Sequence, residues 1–104
     1  MYNLGFLQAA KQDLVDIVRY ISHDLSNPIA AEKLAVELVE AAEGLTHFPY
    51  RNRVYQPIRP LKREYRGQIV QNYIIFYYVD EEQKLVTIAR VIYARRNYGK
   101  LLKY

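Results

Sequence analysis

Apolar residues recur every three or four positions from Leu7 to Leu45, and beyond Phe48-Pro49 they run instead in near-continuous blocks, Ile69–Val79 and Leu85–Tyr93. A chain whose hydrophobic period changes once, from helical to extended, builds helices first and sheet afterwards. Leu7, Ala10, Leu14, Ile17, Val18, Ile21 and Leu25 predict an amphipathic helix from Gln8 to about Leu25, with Lys11, Asp13, Asp16 and Arg19 on its solvent side. Ser26-Asn27-Pro28 breaks the chain; Asn27 suits an N-cap and Pro28 the first helical position. A second helix follows to about Thr46, with Ala31, Leu34, Ala35, Leu38, Ala42 and Leu45 inward and Glu32, Glu37, Glu40 and Glu43 outward. So short a break predicts an antiparallel helical hairpin.

Before the helices, Tyr2–Phe6 reads as a short strand. After them, residues 49–60 carry three prolines and three arginines and read as a basic loop or edge. Leu61–Arg66 is expected to be a strand closed by a turn at Gly67. Ile69–Val79 reads as one long buried strand, Asp80–Lys84 as a charged turn and Leu85–Tyr93 as the strand that completes a hairpin. The class is α+β, in the order β-α-α-β-β-β, with the helical hairpin packed on a mainly antiparallel sheet. Residues 1–104 are expected to form a single domain around a core that includes Ile17, Ile21, Leu34, Leu38, Ile75 and Val91.

Charge divides at the same boundary. Residues 1–49 hold three bases and seven acids, a net of −4; residues 50–104 hold twelve bases and four acids, a net of +8, and most of the tyrosines. Such segregation suits an anionic partner, either nucleic acid or an acidic protein. The contact residues expected from this pattern are Arg59, Lys62, Arg63 and Arg66 before the main hairpin, and Tyr93, Arg95, Arg96 and Tyr98 after it. Alternation places Arg59, Leu61, Arg63 and Tyr65 to one side, with Lys62 and Arg66 to the other. Arg90 shares a strand face with Val86, Ile88 and Ile92, so it pairs with a carboxylate or opens onto a cleft. Arg66, Arg90, Arg95 and Tyr98 are the candidates should the chain cleave RNA without a metal, with cations stabilising the phosphorane. His23 and His47 sit at helix ends and suit the helix dipoles. Without cysteine, metal-ligand spacing or a glycine-rich phosphate loop, no metal or cofactor is expected. With no export signal or membrane span, the expected compartment is the cytoplasm.

These residues resemble the RelE/ParE superfamily of type II toxin–antitoxin toxins, also called plasmid-stabilisation proteins. The likeness runs through Ala10…Asp13-Leu14…Ile17…Tyr20-Ile21, Asn27-Pro28…Ala30-Ala31, Leu45…Phe48-Pro49 and Tyr65-Arg66. Its densest parts are Asn72–Glu81 and Ile88…Arg90-Val91-Ile92-Tyr93-Ala94-Arg95-Arg96-Asn97. The resemblance implies growth inhibition and a cognate antitoxin whose C-terminal segment wraps the toxin. RelE-like members are ribosome-dependent mRNA endoribonucleases and carry an arginine where this chain has Ile74. ParE-like members poison DNA gyrase, and their arginine pair after the last strand matches Arg95-Arg96, although Tyr93 stands where they have histidine. The ParE-like branch is therefore expected, with the RelE-type nuclease and a non-toxin nucleic-acid-binding module as alternatives.

Overall fold

The computed structural model describes residues 1–56 and 63–95. β1 (Asn3–Phe6) leads through Leu7, whose extended backbone turns the chain, into α1 (Gln8–Arg19). The helix then widens into a π-helical turn, Tyr20–Asp24, where Leu25 N–H reaches the carbonyl of Tyr20 at 3.1 Å. Ser22 Oγ donates back to the Val18 carbonyl at 2.7 Å, a bond that bends helices. Ser26, at φ 51°, turns the chain out of the helix. α2 (Pro28–Gly44) opens as its sequence predicts, with Pro28 in the first turn and Asn27 Oδ1 accepting from Ala30 N–H at 3.2 Å.

Three strands follow: β2 (Arg66–Val70), β3 (Tyr73–Asp80) and β4 (Leu85–Tyr93). With β1 they form a four-stranded mixed sheet in the order β1-β4-β3-β2, with β1 parallel to β4 and the other pairs antiparallel. The expected long strand Ile69–Val79 is in fact two strands. Val70 pairs with Tyr73, so the turn is Gln71-Asn72, entered through Gln71 at φ 53°. Gly67 makes no turn; it lies within β2 opposite Phe76. A Cβ there would meet Ile74 Cγ2 at 3.1 Å, so glycine answers a close approach across the sheet. Of the expected strand Leu61–Arg66, only Arg66 is in a strand; Arg63–Tyr65 are not, and residues 61 and 62 lie outside the described residues.

The helices cover one face of the sheet. Ala10, Ile17, Leu34, Leu38, Ala42 and Leu45 pack there against Ile75, Tyr77, Val86, Ile88 and Val91. Ile21 is half-buried at the margin of this core, and Leu25, assigned to the inward stripe, is exposed. A smaller cluster on the opposite face joins Tyr65, Phe76, Ala89 and Ile92, with Tyr55, Ile74 and Tyr78 around it. A bulge sets the boundary: Tyr77 pairs with Ile88 and Phe76 with Arg90, leaving Ala89 as the extra residue. Ile88 therefore faces the helices and Ile92 the other side, so Arg90 does not share one face with both.

Asp13 is not on the solvent side of α1. Its carboxylate accepts from Arg90 Nε at 2.7 Å, from Arg90 Nη2 at 2.8 Å and from Val91 N–H at 2.9 Å. β1 runs beside β4 only as far as Ile88. Beyond that point Asp13 supplies the acceptor that a neighbouring strand would have given the edge. Among the described residues no helix is long and apolar enough to cross a membrane.

Candidate functional site

The densest grouping of charged and aromatic side chains lies where β2 begins. Arg66 pairs with Tyr77 in the sheet and bridges to Val54, which ties the preceding loop to the strand. Its guanidinium donates to the Asn52 carbonyl at 2.6 Å and lies 4.9 Å from the centre of the Tyr50 ring. Arg63 lies 4.4 Å from the centre of the Tyr78 ring, and buried Tyr65 meets that ring edge-on at 5.9 Å. Tyr50, Arg63, Glu64, Arg66, Tyr78 and Val79 line a cleft of about 210 Å³. Two guanidinium groups laid on tyrosine faces keep N–H edges for a carboxylate or phosphate. Strand alternation does not apply to Arg63–Tyr65, which are not in a strand: Arg63 and Tyr65 lie against Tyr78, Arg66 lies against Tyr50, and Arg63 and Arg66 line the same cleft, while Arg59, Leu61 and Lys62 lie outside the described residues.

Tyr50 is fixed by a group that the sequence did not single out. Glu81 accepts hydrogen bonds from the hydroxyls of Tyr2, at 2.8 and 2.9 Å, and of Tyr50, and it pairs with Lys84. The Lys84 hydrogen bond, then those of Tyr50 and Tyr2, bring the Glu81 carboxyl down to about 2. The bond to Glu81 pushes the Tyr50 hydroxyl up to about 12. Behind them, the hydroxyl of buried Tyr77 donates to the Pro49 carbonyl at 2.7 Å and accepts from Asn52 Nδ2 at 3.3 Å. Burial is the main cause that raises Tyr77. A charged turn gives no sequence sign of this role, because its tyrosine partners lie 79 and 31 residues away.

The other expected contact residues lie elsewhere. Tyr93 stands opposite Tyr73, ring edge to ring face at 5.6 Å. Arg66 stands opposite Tyr77, whereas Val70 and Tyr93 stand opposite Tyr73. Tyr93 is thus four residues along from Arg66, roughly 13 Å at about 3.3 Å per residue, and on the far side of β3. Arg95 is exposed in the turn beyond and has no ion-pair partner among the described residues. Tyr93 lines a separate groove of about 700 Å³ between α1 and the end of β4, with Tyr20, Tyr73 and Asp16. Arg90 is held in its pair with Asp13, which raises its pKa. Arg66, Arg90 and Arg95 are therefore not brought to one point. Arg59, Lys62, Arg96 and Tyr98 lie outside the described residues. Ile74 is half-buried beside the outer aromatic cluster. Among the described residues no group of three or more His, Asp or Glu side chains is placed to hold a metal ion.

A family model described as the ParE toxin of the type II toxin–antitoxin system, parDE, matches residues 4–98. Among solved structures, the fold is similar to a chain of a chromosomal ParDE toxin–antitoxin system from P. aeruginosa. The two are 20% identical, with 91% of this chain and 98% of that one covered and a TM-score of 0.73. A chain of the RelBE2 toxin–antitoxin complex from Mycobacterium tuberculosis is 24% identical, with 88% and 96% covered and a TM-score of 0.64. A chain of the intact E. coli RelBE complex is 20% identical, with 92% and 100% covered and a TM-score of 0.56. None of the curated proteins matches the sequence.

Proposed function

From the premise that the chain belongs to the ParE toxins of type II toxin–antitoxin systems, we propose that it arrests growth by inhibiting DNA gyrase, as one domain over residues 1–104 acting in the cytoplasm. The observation that carries the choice of target is the dispersal of Arg66, Arg90 and Arg95. Cleaving RNA without a metal requires cations and a proton acceptor gathered around one phosphate. Here Arg90 is committed to Asp13, Arg66 stands opposite Tyr77 while Arg95 follows the end of β4 that stands opposite Tyr73, across β3 and four residues along, and Ile74 brings no charge to the central strand.

A cognate antitoxin is the second partner in this reading, supported by similar structures from a ParDE toxin–antitoxin system and from two RelBE toxin–antitoxin complexes. The Arg63–Arg66 cleft suits carboxylates of an acidic segment that orders on binding. Arg95 is a further proposed partner contact, as are Arg59, Lys62, Arg96 and Tyr98, which lie outside the described residues. The test pairs two assays after induction in bacteria. Gyrase-linked DNA breaks and SOS induction without mRNA cleavage are the expected result. Cleavage of mRNA in the ribosomal A site, lost in Arg66→Ala or Arg95→Ala, would replace this reading with the RelE-type nuclease.

A further inference from the structure

Phe48 is 67% exposed on a loop that is otherwise tied down. The part of it that is described follows α2 as residues 45–56. Tyr2 N–H bonds the Thr46 carbonyl at 2.9 Å, buried Pro49 receives the Tyr77 hydroxyl, Tyr50 is held by Glu81 and Asn52 by Arg66. Phe48 N–H itself bonds the Gly44 carbonyl at 3.3 Å. A large apolar side chain on a mobile loop has no particular meaning. Held out on a rigid one, it has already met much of the ordering cost of binding. From Gly44 to Arg63 the sequence contains no acid and five cations. Two of these, Arg51 and Arg53, are exposed within five residues of Phe48.

We propose that this loop is the surface by which the chain grips its target protein: Phe48 enters an apolar socket, and Arg51 and Arg53 meet carboxylates around it. The partner's chemistry follows from what surrounds Phe48. Single-stranded nucleic acid needs several free aromatic faces and an unbroken cationic track. Next to Phe48, however, the Tyr50 ring already carries Arg66, Lys84 lies 5.2 Å from the centre of the Tyr2 ring, and exposed Glu81 would repel phosphate. One apolar anchor rimmed by arginines is instead the arrangement of a protein hot spot with an acidic partner.

The inference rests on the proposed toxin action but not on gyrase being its target, and the experiment separates the two. Wild type, Phe48→Ser and the double variant Arg51→Glu/Arg53→Glu are compared for growth arrest on induction, inhibition of purified bacterial gyrase, binding to fluorescent 20-nucleotide single strands, and thermal melting. Phe48→Ser is expected to keep its melting temperature and to weaken gyrase inhibition by about 30-fold, the loss typical of a hot-spot residue. If the wild type leaves gyrase untouched, the gyrase reading fails and the loop is judged on growth arrest alone. Arrest lost in both folded variants supports the proposal. Undiminished arrest overturns it, as does a wild type that arrests no growth, or a loss of arrest that parallels a loss of single-strand binding.

Discussion

Asp13→Ala tests the device that closes the edge of β4. The wild-type carboxylate accepts three hydrogen bonds, and the Asp13 and Arg90 side chains are only 13% and 23% exposed. Removing it takes the carboxylate from a mostly buried guanidinium and the acceptor from the N–H of Val91. Breaking one partner of a buried ion pair costs about 3–5 kcal/mol, and an unpaired N–H about 1–3 kcal/mol. Water reaching the partly exposed guanidinium lowers the sum, so a loss of about 2–4 kcal/mol is expected. At about 4–8 °C per kcal/mol for a domain of this size, the melting temperature should fall by roughly 10–30 °C. Urea denaturation of Asp13→Ala, Arg90→Met and the double variant then separates the contributions. Arg90→Met keeps the stem and leaves the Val91 bond intact, so it should cost about 1 kcal/mol less than Asp13→Ala. The double variant should be less destabilised than the sum of the two. An Asp13→Ala loss below about 1 kcal/mol, or strict additivity, would refute the account of the pair.

Leu38 is 2% exposed at the centre of the helix-sheet core, so Leu38→Ala should cost about 2–5 kcal/mol in urea unfolding; a negligible loss would mean the cavity collapses. The Glu81 carboxyl lies below its ordinary value in the folded chain, so its stabilising bonds are complete above the unfolded value and are lost as pH falls through about 2. The stability gap between wild type and Glu81→Gln should therefore close between about pH 4.5 and pH 2, and a gap of constant size across that window contradicts the assignment. Reversing Arg63 and Arg66 to Glu should slow association with the cognate antitoxin and weaken its salt dependence, measured by stopped-flow at two ionic strengths. Unchanged rates would place both arginines outside that interface.

Both helices and the capped start of α2 were legible because each signal is local: a 3.6-residue stripe, and Asn27 followed by Pro28. The sheet was legible only in class. Gln71-Asn72 lacks the glycine that marks tight turns, and the one glycine nearby, Gly67, answers contact with Ile74 across the sheet. The bulge at Ala89 left no trace because β4 is buried on both faces, so apolar residues occur at either parity. Asp13 was assigned to solvent by its polarity, since its partner stands 77 residues later. The same limit governed the site. Clustering of arginine and tyrosine after Pro49 was visible, and Arg63 and Arg66 do come together. Which cations were committed elsewhere depended on tertiary partners: Asp13 for Arg90, Asn52 and Tyr50 for Arg66, Glu81 for Lys84.

The sheet is covered at two exposed stretches of strand. Beyond β1, the β4 edge is met by Asp13, and the first residue of β2 is met by Val54, with Tyr55 N–H bonded to the Tyr65 carbonyl at 2.7 Å. Charge divides with the elements that carry it: Glu32, Glu40 and Glu43 are exposed on α2, while Arg51, Arg53 and Arg63 are exposed on the segment that follows. A molecule so polarised is oriented in the field of an acidic partner before contact, which raises the association rate and makes it fall with salt. Steering of this kind selects a face but not a partner. The cations grade approach for any anion, and the finer selection falls to groups already locked in place: Phe48 on its pinned loop, and the guanidinium groups of Arg63 and Arg66 on their tyrosine rings.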